Sequence, residues 1–292
     1  LLSRNRAPIA VGMNELSVTS LLETATVGVR DVACDGACRH RSPSECAAAT
    51  HLVFPYRGAY VRHLGRQDVV AEANQVVFFN RDQDYAISHP IDGGDACLSV
   101  SIDDEHLTEL SPAEQLDDSG LAVFRQPTRG LAPQTQALAA RLRHGLARGA
   151  FEPLQAETLT LALVGQALGE RASPARAASH GRRKLADRAK LVLASDPARR
   201  WTLAQVAGDV GVSPVYLTQV FTQAEGMPLY RYQLRLRLAR ALDLLASYDD
   251  LTALALDLGF SSHSHFTAAF RQVYGHGPAD FRRSVRPPRL HA

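Results

Sequence analysis

The sequence predicts a two-domain α+β protein. An all-β barrel or sandwich with trailing helices comes first. An all-α domain follows, with two helix-turn-helix motifs joined by a long helix. Three observations carry this reading. Residues 17–105 are cut into short β-branched and aromatic runs by Gly, Pro and Asn at spacings of about 8–12 residues. From about residue 131 the apolar period becomes helical. Between the halves lies RASPARAASHGRR (171–183), a small, polar, basic stretch suited to a linker.

The strands come in order. HLVFPYRGAYVRHLG (51–65) predicts one strand, a turn at Pro55–Gly58 and a second strand at Ala59–His63. VVAEANQVVFFN (69–80) predicts two more around Ala73–Asn74. YAISHP (85–90) and CLSVSI (97–102) follow, with Gly93–Gly94 turning between them. A barrel of such strands can enclose a small ligand. Leu131, Leu138, Leu142 and Leu146 then share one helical stripe that ends near Gly149. Pro153 opens a second helix carrying Leu154, Leu159, Leu161, Leu163, Val164 and Leu168. The stripe suits packing on its own barrel and a subunit interface equally, because amphipathicity does not separate the two.

The last third repeats one pattern. In LAQVAGDVGVSPVYLTQVF (203–221) a short helix meets Gly211, Ser213 caps a second helix, and Pro214 takes its first position. In LTALALDLGFSSHSHFTAAF (251–270) Gly259 makes the turn and Ser261 or Ser262 caps. Leu217, Val220 and Phe221 face inward in the first copy, Phe266 and Phe270 in the second. An apolar inner side pins each second helix and leaves its outer side free to enter a major groove. The helix LYRYQLRLRLARALDLLAS (229–247) joins the copies.

Composition bounds the function. The 292 residues are 46% hydrophobic and 21% charged, which excludes wholesale disorder and collagen-like repeats. Four cysteines are too few for a disulfide scaffold. No apolar run approaches the ~18–20 residues that span a bilayer. The N-terminal stretch has basic residues but no apolar h-region, so it is not read as a signal peptide. It begins at Leu1, which implies an alternative start codon or a natural start at Met13. Lys+Arg 32 against Asp+Glu 30 leaves a formal charge of +2, which alone speaks against phosphate affinity. Split at the linker, residues 1–175 hold 15 basic and 21 acidic side chains, a balance of −6. Residues 176–292 hold 17 and 9, a balance of +8, and the inference reverses.

The basic half resembles the DNA-binding domain of the AraC/XylS transcriptional regulators over residues 184–286. The resemblance rests on Leu203, Ala207, Gly211, Ser213–Pro214, Tyr216–Leu217, Phe221, Gly226, Tyr232, Arg237–Leu238, Ala241, Leu244–Leu245, Gly259–Phe260, Ser264, Phe266, Phe270, Gly275, Pro278 and Phe281–Arg282. Leu254–Ala255–Leu256–Asp257 departs from the usual Ile-Ala, conservatively for packing. The resemblance implies that two recognition helices, starting at Pro214 and His263, enter successive major grooves on one face of double-stranded DNA. By position, Val215, Thr218 and Gln219 would read bases from the first helix, and His263, Ser264, Thr267 and Ala268 from the second. Gln219 suits adenine and Val215 a thymine methyl. Arg235, Arg237, Arg271 and Arg282 would contact phosphate. Arg237 is also the candidate for an intradomain salt bridge, because the family pattern places it between the motifs.

Residues 25–105 are similar, more loosely, to the cupin-type sensor domain of the same regulators. Ala73–Asn74–Gln75–Val76 stands where a Pro-Gly-Asp turn is usual, and His89–Pro90 closes the segment. Catalytic cupins hold a metal with His-x-His and Glu. Here His51, His63, Glu72 and His89 are scattered, so no catalytic residues are expected. A separate cluster, Cys34, Cys38, His40 and Cys46, invites Zn²⁺ with Cys97 or His40 as a completing ligand. Arg39 and Arg41 would equally favour a redox pair, and small buried hydrophobes at strand ends would have the same composition.

The expected organisation is a disordered arm (1–16), a cupin-like sensor domain (17–126) and a helical dimerisation or packing segment (127–170). The linker (171–183), the DNA-binding domain (184–286) and a tail (287–292) follow. The expected function is a cytoplasmic, dimeric, sequence-specific transcriptional regulator and activator, not an enzyme. It would be controlled by a small-molecule effector, a metal or a redox signal, and would contact RNA polymerase. The alternative is a metal-dependent cupin enzyme with an accessory helical domain.

Overall fold

The computed structural model describes residues 16–36, 39–169 and 179–285. The expected arm up to residue 15, Cys38, most of the linker and the tail lie outside the described residues. The chain divides into two compact units, residues 1–170 with 281–292, and residues 171–280.

The first unit is built on two antiparallel sheets. Six strands form the larger one: β1 (Leu16–Glu23), β2 (Val27–Cys34), β4 (His51–Arg57), β7 (Gln75–Phe79), β9 (Asp95–Ile102) and β10 (Thr128–Gly130). Their order is β1-β2-β9-β4-β7-β10. The smaller sheet takes β3 (Glu45–Cys46), β5 (Ala59–Leu64), β6 (Gln67–Glu72) and β8 (Asp84–Ser88) in the order β3-β8-β5-β6. No ladder joins the two sheets among the described residues, so the barrel is not closed. The edge strands β3 and β10, two and three residues long, are too short to carry a closing ladder. The β-rich layer otherwise follows the expected runs. The first strand of the 51–65 segment passes through Pro55 with a bulge, and the chain then turns at Gly58 into the smaller sheet, so the two strands of that segment do not pair with each other.

Alternation along the central strands sorts two cores. Val29, Leu52, Phe54, Val76, Phe78, Leu98 and Val100 point to one face. Val53, Val77, Phe79 and Cys97 point to the other, where Tyr60, Ala71, Tyr85 and Ile87 of the smaller sheet meet them. The first face is covered by α2 (Pro133–Ala147) and α3 (Pro153–Gly169) through Leu142, Leu163, Val164 and Leu168, joined by Leu107 of α1 (Asp104–Leu110). Leu138, Leu146, Leu159 and Leu161 pack half-buried on the same core, and only Leu154 of the predicted set is well exposed. The leucine stripe is therefore used inside the unit. The strand β10 was not expected in the segment read as helical. It is a three-residue addition to β7, with no run long enough to show alternation.

The second unit is helical. It comprises α4 (His180–Ser195), α5 (Leu203–Asp209), α6 (Pro214–Glu225), α7 (Leu229–Leu244), α8 (Leu251–Asp257) and α9 (His263–Tyr274). A last helix, α10 (Pro278–Ser284), ends the described chain. Residues 180–183, expected in the linker, are the first turn of α4 instead. Ala186, Ala189 and Leu193, at helical spacing, bury that helix's inner side and extend it back to His180. Among the described residues no helix is long and apolar enough to cross a membrane.

Candidate nucleic-acid interface

The first motif is assembled by local chemistry. Thr202 and Gln205 form a capping box that starts α5. Gly211 turns the chain at φ +72°, a left-handed conformation open to Gly. Ser213 Oγ then accepts from the Tyr216 N–H at 3.2 Å, with Pro214 in the first turn, and α6 begins. Leu217, Val220 and Phe221 are buried, and Phe221 meets the Tyr232 ring edge-on at 5.2 Å. The outer side carries Val215, 69% exposed, with exposed Thr218 and Gln219. The Thr218 hydroxyl donates to the Pro214 carbonyl at 3.0 Å and keeps acceptor capacity outward. At the far end of α6, Glu225 is held by Lys190 Nζ of α4 at 2.6 Å, and Lys190 also meets Asp187 at 3.2 Å. Lys190 is almost wholly buried, so this pairing ties α4 to α6 through desolvated charges.

The second motif repeats the grammar with a tighter surround. Asp250 caps α8 by accepting from the Thr252 N–H at 2.7 Å, and that bond holds its carboxyl below the usual range. Gly259 turns at φ +77°. A Cβ there would run into the carbonyl oxygen of Ala198. Of the two serines expected to cap, Ser262 does so, its Oγ accepting from the His265 N–H at 3.1 Å. Ser261 Oγ meets His265 Nδ1 at 3.0 Å instead. Phe260, Phe266, Phe270 and Tyr274 stack in sequence, with ring centroids 5.2, 5.8 and 4.7 Å apart. The outer side of α9 carries exposed Ser264 and Ala268. His263 and Thr267 are half-exposed, 3.4 Å apart through His263 Nε2 and Thr267 Oγ1. Both recognition helices end at a left-handed glycine, Gly226 and Gly275.

Of the four arginines expected on phosphate, Arg237 is corrected. Its Nε donates to Pro197 O at 3.1 Å, and its Nη2 to Arg199 O at 3.2 Å and Ala198 O at 3.4 Å. Nη1 reaches Gly259 O at 3.5 Å, and the guanidinium lies 5.4 Å from the Phe260 ring centroid. Burial and the neighbouring Arg200 lower its pKa. A guanidinium spent on carbonyls fastens the second turn to the loop after α4 and has little left for DNA. Arg271 is exposed on α9, Arg235 is half-buried on α7, and Arg282 stands half-exposed on α10. Tyr216, His265 and Gln272 are also exposed on the two recognition helices and are not among the base-reading candidates expected from sequence. Gln272 lies four residues after Ala268, so helical period alone would have found it.

In the first unit the candidate ligands are dispersed. Cys34 and Cys97 are buried on neighbouring strands β2 and β9, while Cys46 is exposed on β3 of the other sheet, and His40 is exposed. Cys34 Sγ points to Gly36 O at 3.7 Å, and burial pushes the Cys97 thiol well up. No three His, Cys, Asp or Glu side chains gather as a metal site among the described residues, and Cys38 lies outside them. His51 stacks on Phe79, His63 bridges Asp68 and Ser88, and His89 bonds Asp95. Glu72 is buried and accepts from the Asn74 N–H at 2.9 Å. Each of these four thus has a structural occupation. A buried cation went unremarked in the sequence. Arg62 lies 3.7 Å from the Phe79 ring centroid and donates to Phe78 O at 2.5 Å and Gln83 Oε1 at 3.0 Å, with burial lowering its pKa to about 10. Beside Gln83 opens a cavity of about 350 Å³ lined by Leu64, Gly65, Gln67, Asp84, Phe124, Arg125 and Pro127.

Comparison with known proteins follows the same division. An AraC-binding-like domain family matches residues 11–169, and a helix-turn-helix domain family matches residues 206–284. Regulatory protein PocR of Salmonella typhimurium is 33% identical over 93 residues, 30% of this chain and 31% of PocR. A putative AraC-like transcription regulator of Streptomyces antibioticus is 33% identical over 93 residues, 32% of this chain and 31% of its own length. The match thus spans about a third of these curated relatives. A transcriptional regulator from Chromobacterium violaceum, with an AraC-type DNA-binding domain, aligns with a TM-score of 0.35 at 28% identity, over 37% of this chain and 97% of its own.

Proposed function

The chain belongs to the AraC family of transcriptional regulators, and from that premise we propose that it is a sequence-specific DNA-binding regulator and not an enzyme. One observation carries the reading. Two helix-turn-helix motifs stand in a single compact unit, and in each the second helix buries an apolar side and leaves the opposite side, with the base-reading candidates, exposed or half-exposed. In this reading Val215, Thr218 and Gln219 meet base edges in one major groove, and His263, Ser264, Thr267 and Ala268 in the next. Arg235, Arg271 and Arg282 contact phosphate, and Arg237 holds the scaffold.

The first unit senses the signal. A small molecule is one reading, for which the cavity beside Gln83 offers Phe124 with polar Gln67, Asp84 and Arg125. A metal or redox signal at Cys34, Cys38, Cys46, Cys97 and His40 is the other reading. Zinc stoichiometry on untagged protein tests it: no bound metal and no loss of stability with chelator would end the zinc version. Signal binding shifts the population of DNA-competent chains. The protein works in the cytoplasm as a homodimer and activator that contacts RNA polymerase.

The test is selection of bound duplexes from a random-sequence pool, followed by titration against salt. Enrichment of a sequence spanning two successive grooves, with binding that weakens steeply as salt rises, is expected. No salt-sensitive binding near physiological ionic strength would sink the regulator reading.

A further inference from the structure

The two motifs differ in where their positive charge comes from. Residues 201–230, which include all of α5 and α6, contain no Lys or Arg and carry Asp209 and Glu225. The second recognition helix has Arg271 on its own surface. A helix that enters a groove between two phosphate strands needs cations at its flanks. The first motif holds none of its own, so any cation at its flanks comes from a neighbouring element.

That element is α4. Arg182, Arg183 and Lys184 stand exposed at its start, with no acid in the first turn and no bond from the Ser179 side chain. Three cations at that end oppose the helix dipole, a local cost of the kind that marks functional sites. Arg182 is bonded directly to α6. Arg182 Nη1 donates to Gln223 Oε1 at 2.8 Å. Gln223 lies four residues, one helical turn, beyond Gln219 on the same side of α6. The Lys190–Glu225 pair clamps the same two helices further along. Arg182 engages Gln223 through one nitrogen, and a guanidinium carries five N–H donors.

We propose that Arg182 and Arg183 form a phosphate-binding rim for the first recognition helix, gripping the DNA backbone beside the groove that α6 enters. The rim rests on the DNA-binding reading above. Lys184 and Arg188 are spaced to lie on the opposite side of α4 from Ala186 and Lys190, the side that faces α6, and are not part of it.

The test uses the full chain and the duplex it selects. Substitution R182Q with R183Q should lower the slope of log affinity against log salt by about 2, one phosphate for each arginine. R188Q, equal in charge per residue changed, should leave the slope unaltered. Adding Q223R to R182Q should restore the slope by about 1, because it returns a cation to the same flank. Ethylation interference on the unmutated chain reads the contact without any substitution: phosphates flanking the first-helix half of the site should be needed for binding. An unchanged slope in R182Q/R183Q, an equal loss from R188Q, or interference confined to the second-helix half would each overturn the rim. Failure of the unmutated chain to bind any duplex would overturn the rim and the DNA-binding reading together. Binding with an unchanged slope would overturn the rim alone.

Discussion

The two helix-turn-helix motifs share a local grammar and differ in nearly everything around it. Both recognition helices are capped by serine, Ser213 and Ser262, and both end on a left-handed glycine. Both turns need a glycine, yet Gly211 faces open space while Gly259 is sealed against Ala198. The Gly259 carbonyl also accepts from Arg200 Nε at 3.3 Å. Inside, α6 buries Leu217, Val220 and Phe221, with Phe221 edge-on to Tyr232, whereas α9 sits in a four-ring ladder. Outside, α9 bears Arg271 and α6 bears no cation at all. A motif pattern thus specifies the bend. Its rigidity and its charge are supplied by whatever packs beside it.

That contrast can be broken most forcefully in the cores. Phe266→Ala should destabilise the helical unit by about 4 kcal/mol, since it empties the middle of the ring ladder. Trp201, the single tryptophan, stands in that unit, so urea unfolding followed by its fluorescence reads the loss. A loss under about 1 kcal/mol would mean the ladder is not the core it looks like. The turns come next. Gly259→Ala should cost about 3 kcal/mol, combining left-handed strain with displacement of the Ala198 carbonyl. Gly211→Ala should cost about 1 kcal/mol, the strain alone. Equal costs would show that the tight surround of Gly259 carries no energy.

The smallest effects sharpen the comparison on the DNA side. Gln219→Ala should relax preference at one base pair by about 1 kcal/mol, measured by competition between duplexes differing at that pair. Arg271→Ala should weaken all duplexes alike and lower the salt slope by about 1. A sequence-dependent loss from Arg271→Ala would move it from phosphate to base contact.

Much of the helical unit was legible because its signals are local. Ser213, Pro214, Gly211 and Gly259 act within four or five residues of themselves, so caps and turns fell where expected. The beginning of α4 was misread because a small, basic stretch looks like a linker until Ala186 and Ala189 find a partner surface. Arg237 reads as a phosphate contact in the sequence because its bonds go to carbonyls 38 to 40 positions away, beyond any sequence window. The leucine stripe could not be assigned from its period, since a barrel and a second subunit offer it the same apolar surface. In the structure it packs on the larger sheet. Cys34, Cys46 and Cys97 look like one cluster in the sequence, but strand order distributes them over two sheets.

The sequence by itself determined where helices begin, where the chain turns, and that one half is basic and the other acidic. Those properties depend on neighbours along the chain or on simple sums. Only the tertiary structure decided which glycine tolerates no side chain, which arginine is consumed by the scaffold, and which helix lends charge to the first motif. Each of those depends on groups tens of residues apart meeting within bonding distance, and packing alone brings them together.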